Sequence, residues 1–381
     1  MDRRGFVTTG MAAGLVGATS AGSAIAALLE NTPGWGPGKT LADGSVKLSS
    51  NENPLGLSPA ARQAVIEAIP NANRYPSDFR APLMSALSDF VGVKQENLVL
   101  GAGSTEILQM AVQAYQGPNT PLVTAEPTFE DVPRYMRPLA YNLVTVPLTG
   151  PGLAHDIGRM RQAAEGSRRP AVVYFCNPNN PTATITNSRE IDNWIADAPE
   201  TTMFLMDEAY FEYADDPSYW SALKWIETKP NVIVVRTFSK IFGMAGMRLG
   251  YGIAHPDTAA RMREFVMQNN PNVLAAAAGT ASLADEGLMA RSVEVNNASK
   301  KIVMDTCDEL GLEYLPTQAN FMMHRINGDL GTYINRMAEV GVRVGRQFPP
   351  MVEWNRISFG LPEEQGRWAE ALRDFRRKGW V

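Results

Sequence analysis

The sequence predicts an α/β protein built on a mostly parallel sheet, arranged as two unequal lobes around a shared cleft. Three observations carry that expectation. Short β-branched or apolar runs recur at 97–100, 122–125, 172–176, 203–206, 232–236 and 249–254, most of them bounded by Gly, Pro or Asn, as buried strands are. Helical stretches at 104–115, 188–197 and 256–268 fall between some of these runs, and strand, loop and helix in series favour parallel pairing with crossover connections. The chain is also 381 residues long, more than one core commonly serves.

Composition narrows the function classes. With 45% apolar and 20% charged residues, 32 Gly and 26 Pro, the chain is globular rather than collagen-like, disordered or coiled-coil. Thirty-five Lys and Arg against 40 Asp and Glu leave a net charge of -5, and no long run of either sign follows residue 40. A nucleic-acid groove or a polybasic membrane surface is therefore not expected. Cys176 and Cys307 cannot build a disulfide scaffold, and His155, His255 and His324 stand far apart, so no metal site is expected.

The first forty residues differ from the rest. Arg3-Arg4-Gly5-Phe6-Val7 precedes a stretch from Met11 to Leu29 rich in Ala, Gly, Ser and Thr, and no Lys or Arg recurs before Lys39. This reads as a charged region, a weakly apolar region and a small-x-small cleavage site at Ala24-Ile25-Ala26. The paired arginines resemble a twin-arginine signal, which implies a periplasmic protein, although Asp2 stands where such signals usually carry Ser or Thr. The alternative is an N-terminal arm on a cytoplasmic protein. The stretch is too poor in bulky residues for a stable membrane span.

Along the rest of the chain, four loops after strands carry chemistry, and ligands of open α/β sheets sit at such loops. Gly101-Ala102-Gly103-Ser104-Thr105-Glu106 opens a helix, and its free N–H groups with the Ser104 and Thr105 hydroxyls suit a phosphate. Cys176-Asn177-Pro178-Asn179-Asn180-Pro181-Thr182 is a rigid turn whose Asn side chains can bond a ring substituent. Met206-Asp207-Glu208-Ala209-Tyr210 ends an apolar strand, so Asp207 needs a cation to face, and a protonated pyridine nitrogen would be one. Tyr210 could donate its hydroxyl to a phenolate. In Thr237-Phe238-Ser239-Lys240-Ile241-Phe242-Gly243-Met244-Ala245-Gly246-Met247-Arg248, a lysine follows a buried strand among small and apolar residues. Desolvation favours its neutral form and makes it a nucleophile able to form a Schiff base.

In this order the four loops resemble fold-type I pyridoxal-phosphate enzymes, and within them the class I/II aminotransferases of the histidinol-phosphate aminotransferase type. Further matches are Ser50-Asn51-Glu52-Asn53-Pro54-Leu55-Gly56, Arg74-Tyr75-Pro76, Glu126-Pro127-Thr128-Phe129, Asn270-Pro271-Asn272-Val273, Gln318-Ala319-Asn320-Phe321 and Arg356-Ile357-Ser358-Phe359-Gly360. The resemblance spans roughly residues 46 to 365. It implies a large pyridoxal-phosphate domain at 76–284 with a mostly parallel central sheet, a smaller α/β domain from 46–75 and 285–381, and a leader or arm at 1–45.

The resemblance also assigns roles. Lys240 is implied to bond the cofactor covalently and then to carry the proton of the transamination. Asp207 is implied to hold the pyridine nitrogen protonated, with Asn180 and Tyr210 on the phenolic oxygen and Phe129 stacked on the ring. Gly103, Ser104, Thr105, Ser239 and Arg248 are implied to hold the phosphate, with Tyr75 reaching in from a partner subunit of a homodimer that shares its active sites. Asn53 and Arg356 are implied to bind the substrate, Arg356 by gripping its carboxylate bidentately. The implied activity moves an amino group between an L-amino acid and a 2-oxo acid. The alternative is a decarboxylase, lyase or oxidase on the same fold.

Several residues depart from the family pattern. Ala183 stands where a glycine is usual, and Ala102 where the phosphate loop often has Asn. Leu55 replaces an aromatic, and Gly345-Arg346 replaces an Arg followed by an acidic residue. The latter positions bind the substrate's phosphate in histidinol-phosphate enzymes, so poor recognition of histidinol phosphate is expected here. Cys176 is expected to be a buried small residue.

Overall fold

The computed structural model describes residues 41, 43–139, 141–166 and 169–381. The leader with its paired arginines lies outside the described residues. After β1 (Val46–Leu48), the strands β2 (Leu98–Gly101), β3 (Leu122–Glu126), β4 (Leu143–Pro147), β5 (Ala171–Cys176), β6 (Thr202–Asp207), β7 (Val232–Thr237) and β8 (Gly250–Ala254) form one seven-stranded sheet in the order β2-β8-β7-β6-β5-β3-β4. β4, β3, β5, β6 and β7 run parallel, and β8 runs antiparallel to both β7 and β2. The mostly parallel α/β expectation holds.

Strands β5 to β8 are buried along their whole length, as a sheet covered on both faces requires. Alternate residues feed two cores. Val173, Phe175, Phe204, Met206, Val232 and Val234 join one, with Trp194 and Phe238. Val172, Tyr174, Met203, Leu205, Ile233 and Val235 join the other, with Ile107 and Leu108 of the helix Ser104–Tyr115. The register sets Cys176 opposite Asp207 and Asp207 opposite Val235. The loops that follow β5, β6 and β7 therefore leave the sheet at one edge, where ligands of such sheets bind.

A third core gathers around β9 (Phe321–Arg325), β10 (Val342–Val344) and β11 (Trp354–Ser358). β9 pairs antiparallel with β11, and β1 pairs in parallel with β10. Met322, Met337, Ile357, Trp368 and Phe375 fill this core together with Val46 and Leu48. Leu55 and Ala61, by contrast, belong to the larger core. The segment 46–75, expected in the smaller domain, thus divides between the two cores: the chain changes core between Leu48 and Leu55, and the helix Pro59–Ala68 packs on Val273–Ala284.

The helices expected at 104–115 and 188–197 form at those bounds. The one expected at 256–268 stops at Arg263. Beyond it the Glu264, Phe265 and Val266 N–H groups bond to carbonyls three residues back rather than four, and the Met267 N–H then donates to the Glu106 carboxylate at 3.2 Å.

Candidate active site

A cavity of about 310 Å³ opens at the sheet edge where β5, β6 and β7 end. Ser104, Thr105, Phe129, Asn180, Asp207, Tyr210, Ser239, Lys240, Arg248 and Arg356 all line it, so ten residues singled out in the sequence converge on one site.

Lys240 arrives on a tight loop after β7. The Thr237 hydroxyl accepts the Ser239 N–H at 3.0 Å, and the Phe238 carbonyl accepts the Met244 N–H at 3.1 Å. Gly243 has φ +67, and a Cβ there would collide with the Gly56 carbonyl, so only glycine lets the lysine loop press against the 53–56 segment. The Lys240 amine donates to the Asn51 carbonyl at 2.9 Å. Burial lowers its pKa to about 8, and the Arg356 charge pushes the same way, against the opposing pull of Glu52 and Asp207. At neutral pH it is thus far closer to the nucleophilic amine than an exposed lysine.

Asp207 is sealed at the end of β6. Its carboxylate accepts the Tyr174 hydroxyl at 2.9 Å and the Ala209 N–H at 3.2 Å, both neutral donors. Burial raises its pKa to about 6 despite those bonds. Tyr210 packs edge-on to Phe321, with ring centroids 5.1 Å apart, and burial pushes its hydroxyl above the usual phenol range. The Tyr210 oxygen accepts from the Asn51 side-chain amide at 3.0 Å, and the Asn51 side-chain oxygen accepts the Ser358 hydroxyl at 2.7 Å.

Asn51 lines the cavity, whereas Asn53, singled out in the sequence for the substrate, does not. The Asn53 amide donates to the Ile241 carbonyl at 2.9 Å and to the Ser292 hydroxyl at 2.8 Å, while its oxygen accepts the Leu55 N–H. With its bonding capacity spent on the scaffold, Asn53 braces the lysine loop and does not line the cavity.

On the other flank, Gly103 precedes the helix Ser104–Tyr115 with φ +82. A Cβ at Gly103 would fall on the Arg248 guanidinium. Arg248 donates to the Ser239 hydroxyl at 3.4 Å and to the Ala245 and Ala102 carbonyls at 3.0 and 3.4 Å, all neutral partners. A guanidinium, the hydroxyl-bearing Ser104, Thr105 and Ser239 and the N–H groups of a helix start make an anion cradle.

Asn180 and Arg356 close the opposite wall. Arg356 donates to the Asn180 side-chain oxygen at 2.8 Å and to the Ser49 carbonyl at 3.0 Å, while its Nε is buried with no hydrogen-bond partner. Burial lowers its pKa to about 10. A desolvated cation bonded only to neutral groups is set to receive an anion. Cys176 lines the cavity floor as a buried thiol, pushed up by burial and the Asp207 charge. Ala183 takes the left-handed region at φ +62, which accounts for the glycine usual at that position. Tyr75 is the one expected cofactor contact that stands apart: it is 77% exposed and lies in a separate hollow with Arg74, Asn269 and Asn272.

The family described as aminotransferase class I and II matches residues 43–372. The chain belongs to that family. Among relatives, the histidinol-phosphate aminotransferase of Moorella thermoacetica is 36% identical over 86% of this chain and 85% of its own. A solved structure from Erwinia carotovora atroseptica is 37% identical, with TM-score 0.87 over 91% of this chain and all of its own. The histidinol-phosphate aminotransferase of Sinorhizobium meliloti, solved with pyridoxal 5'-phosphate, is 25% identical, with TM-score 0.81 over 96% of each chain.

This class I and II aminotransferase is a pyridoxal-phosphate-dependent transaminase. The fold is that of its relatives. Its cavity fits the cofactor on chemical grounds: the anion cradle at Gly103 and Arg248 suits a phosphate, the buried Asp207 carboxylate suits a protonated ring nitrogen, and the desolvated Lys240 amine suits an aldehyde. When bound, the cofactor supplies an electron sink for charge at the substrate's Cα. Among the described residues, no group of three His, Cys, Asp or Glu side chains could hold a metal ion, and no helix is long and apolar enough to cross a membrane.

Proposed function

We propose that this aminotransferase works on an unphosphorylated L-amino acid and a 2-oxo acid, with Lys240 as the proton carrier and Arg356 as the anchor of the substrate carboxylate. The observation that carries this reading is the pairing in one cavity of a lysine held near neutrality with a buried arginine bonded only to neutral groups. Between them, Arg356 orients the substrate and Lys240 removes and returns the proton at Cα. Asp207 keeps a ring nitrogen protonated, Asn180 and Tyr210 bond the phenolic oxygen, and Phe129 stacks on the ring. Ser104, Thr105, Ser239 and Arg248 hold the phosphate, and the backbone at Gly103 leaves room for Arg248.

Histidinol phosphate is a poor fit. Leu55 is 1% exposed inside the larger core rather than on the cavity wall, and Gly345 brings no charge. Losing one charged contact to a phosphate typically costs roughly a hundredfold in specificity. The test is a panel of free L-amino acids against histidinol phosphate, measuring kcat/KM and the stoichiometry of 2-oxo acid formed to acceptor aminated. A one-to-one ratio is expected, with at least one free amino acid surpassing histidinol phosphate. Carbon dioxide, ammonia or peroxide in place of the aminated acceptor would mean a different reaction on this fold.

Two further readings complete the proposal. The enzyme is a closed two-fold dimer in which Tyr75 completes the partner's phosphate site, a reading supported by the exposure of Tyr75, Ile66, Ile69 and Met267. The twin-arginine leader exports it folded around its cofactor. Changing Arg3 and Arg4 to Lys is expected to move the protein from the periplasm to the cytoplasm on fractionation, and an unaltered periplasmic share would overturn the export reading.

A further inference from the structure

The β5 run Ala-Val-Val-Tyr-Phe-Cys holds a single hydroxyl, that of Tyr174, whose side chain is fully buried in the core with Ile107 and Leu108. The register of β5 on β6 sets Cys176 opposite Asp207, and Tyr174, two positions before Cys176, points to the same face of the sheet. From behind the cavity the Tyr174 hydroxyl donates to Asp207 Oδ2 at 2.9 Å, while Oδ1 accepts the Ala209 N–H at 3.2 Å. The neighbouring Cys176 thiol donates to the Pro178 carbonyl at 3.4 Å, so the one proton of the Tyr174 hydroxyl is left to Asp207.

We propose that Tyr174 is a positioning residue of the transamination: by donating to Asp207 it makes this carboxylate the weaker base, so that a proton shared between Asp207 and the cofactor's ring nitrogen rests on the nitrogen. The proposal rests on the reading that Asp207 faces that nitrogen. It adds the group that decides where the proton stays.

Three physical points carry it. Burying a carboxylate costs far more than burying a hydroxyl, so Asp207 is not there to satisfy Tyr174, and the tyrosine serves the carboxylate. Tyr174 also stays a donor, because burial and the Asp207 charge push its own hydroxyl well above the usual phenol range. Finally, the proton is closely balanced. Burial raises the Asp207 pKa, and the Tyr174 bond is the strongest influence holding it down, ahead of the Ala209 N–H and the Lys240 charge, while the Asp131 charge adds to the rise. Cys176 remains a neutral thiol, pushed up by burial. In a dry site a proton between a carboxylate and a pyridine nitrogen goes to the stronger base, and a protonated ring is the better electron sink. Losing the tyrosine's donor returns the proton to Asp207.

Two readouts on Tyr174→Phe test this. With isotope-labelled pyridoxal phosphate bound, the NMR resonance of the ring nitrogen is expected to move from the protonated towards the unprotonated position, and kcat to fall about tenfold with KM within about twofold. A nitrogen as protonated in the variant as in the unaltered protein would overturn the proposal alone. One already unprotonated in the unaltered protein would overturn the reading of Asp207 as well. In cofactor-free protein, urea midpoints separate a bond to Asp207 from mere packing. Without the donor the folded chain keeps the Asp207 proton to higher pH, so stability goes on falling over a wider range. The deficit of Tyr174→Phe is therefore expected to be small at about pH 4, to widen by about pH 8, and to be equal at both in an Asp207→Asn background. A deficit that is the same at both pH values with Asp207 in place would overturn the link. Replacing Tyr174 by a ring-fluorinated tyrosine, a stronger donor of nearly the same size, is expected to move the midpoint at about pH 8 the opposite way, which keeps the link refutable should Tyr174→Phe fold poorly. A shift in the same direction as that of phenylalanine would overturn it.

Discussion

Asp207 is a carboxylate that the fold holds against its own preference. A tyrosine hydroxyl and one N–H donate to it and the Lys240 charge pulls its pKa down, yet burial has raised that pKa from 3.8 to about 6. Between those values the folded chain keeps a proton that the unfolded chain has released, so stability falls as pH climbs from about 4 to 6 and stays reduced above. A cation bound beside Asp207 would reverse that loss. In cofactor-free protein, Asp207→Asn is therefore expected to raise unfolding stability at pH 7.5 by about 2 kcal/mol, with the gain vanishing below pH 4. Denaturant titrations at the two pH values measure it, and a variant less stable than its parent at pH 7.5 would refute the account. Lys240, Asp207 and Asn180 were legible in the sequence because each follows an apolar run that could only be a buried strand. The choice between Asn51 and Asn53 was not. They stand two positions apart in an irregular loop, and what separates them is whether Tyr210 and Ser358 or Ile241 and Ser292 wait on the other side. Those partners come from distant sequence, beyond any local pattern.

At the scale of elements, the legible strands were the ones buried on both faces. β4 was missed because it is an edge strand, half-exposed in part, and reads Leu-Val-Thr-Val-Pro. β9 was missed because His324 and Arg325 end its apolar run after three residues, and β1 and β10 because three residues carry little pattern. The turn that joins β2 to its helix shows how much a single backbone position can hold. Gly103, at φ +82 and ψ 167, sits in a region essentially reserved for glycine, where another residue costs about 1–3 kcal/mol. Its missing side chain is also the space that Arg248 occupies. Gly103→Ala is expected to lower stability by about that amount and to weaken pyridoxal-phosphate binding at least tenfold, read from a urea midpoint and from absorbance titration of cofactor-free protein. Gly246 is the control: a Cβ there would meet nothing within 4 Å, so Gly246→Ala should leave both nearly unmoved. Equal effects at the two glycines would mean that the cradle geometry is not what matters.

For the whole molecule, the decisive link runs from the phosphate loop to the outer surface. The Glu106 carboxylate accepts the Ala102 N–H at 2.5 Å on one side, and the Met267 N–H and the Asn270 amide on the other. Asn269 and Asn272 of that second segment line the hollow that holds Tyr75, and Met267 beside them is 68% exposed. The cradle is thus braced from a face that carries apolar side chains in the open, as interfaces between subunits do. If a second copy covers this face, Tyr75 of one chain completes the site that holds Lys240 of the other. Co-refolding Lys240→Ala with Tyr75→Ala, each inactive or severely impaired alone, separates the possibilities. In a mixed dimer one site inherits both lesions and the other neither. Random pairing makes half the dimers mixed, each with one intact site of two, so activity is expected to return to about a quarter of the unaltered enzyme. Were Tyr75 to serve its own chain, every site in the mixture would carry one lesion, and the activity of the mixture would stay at the level of the separate variants.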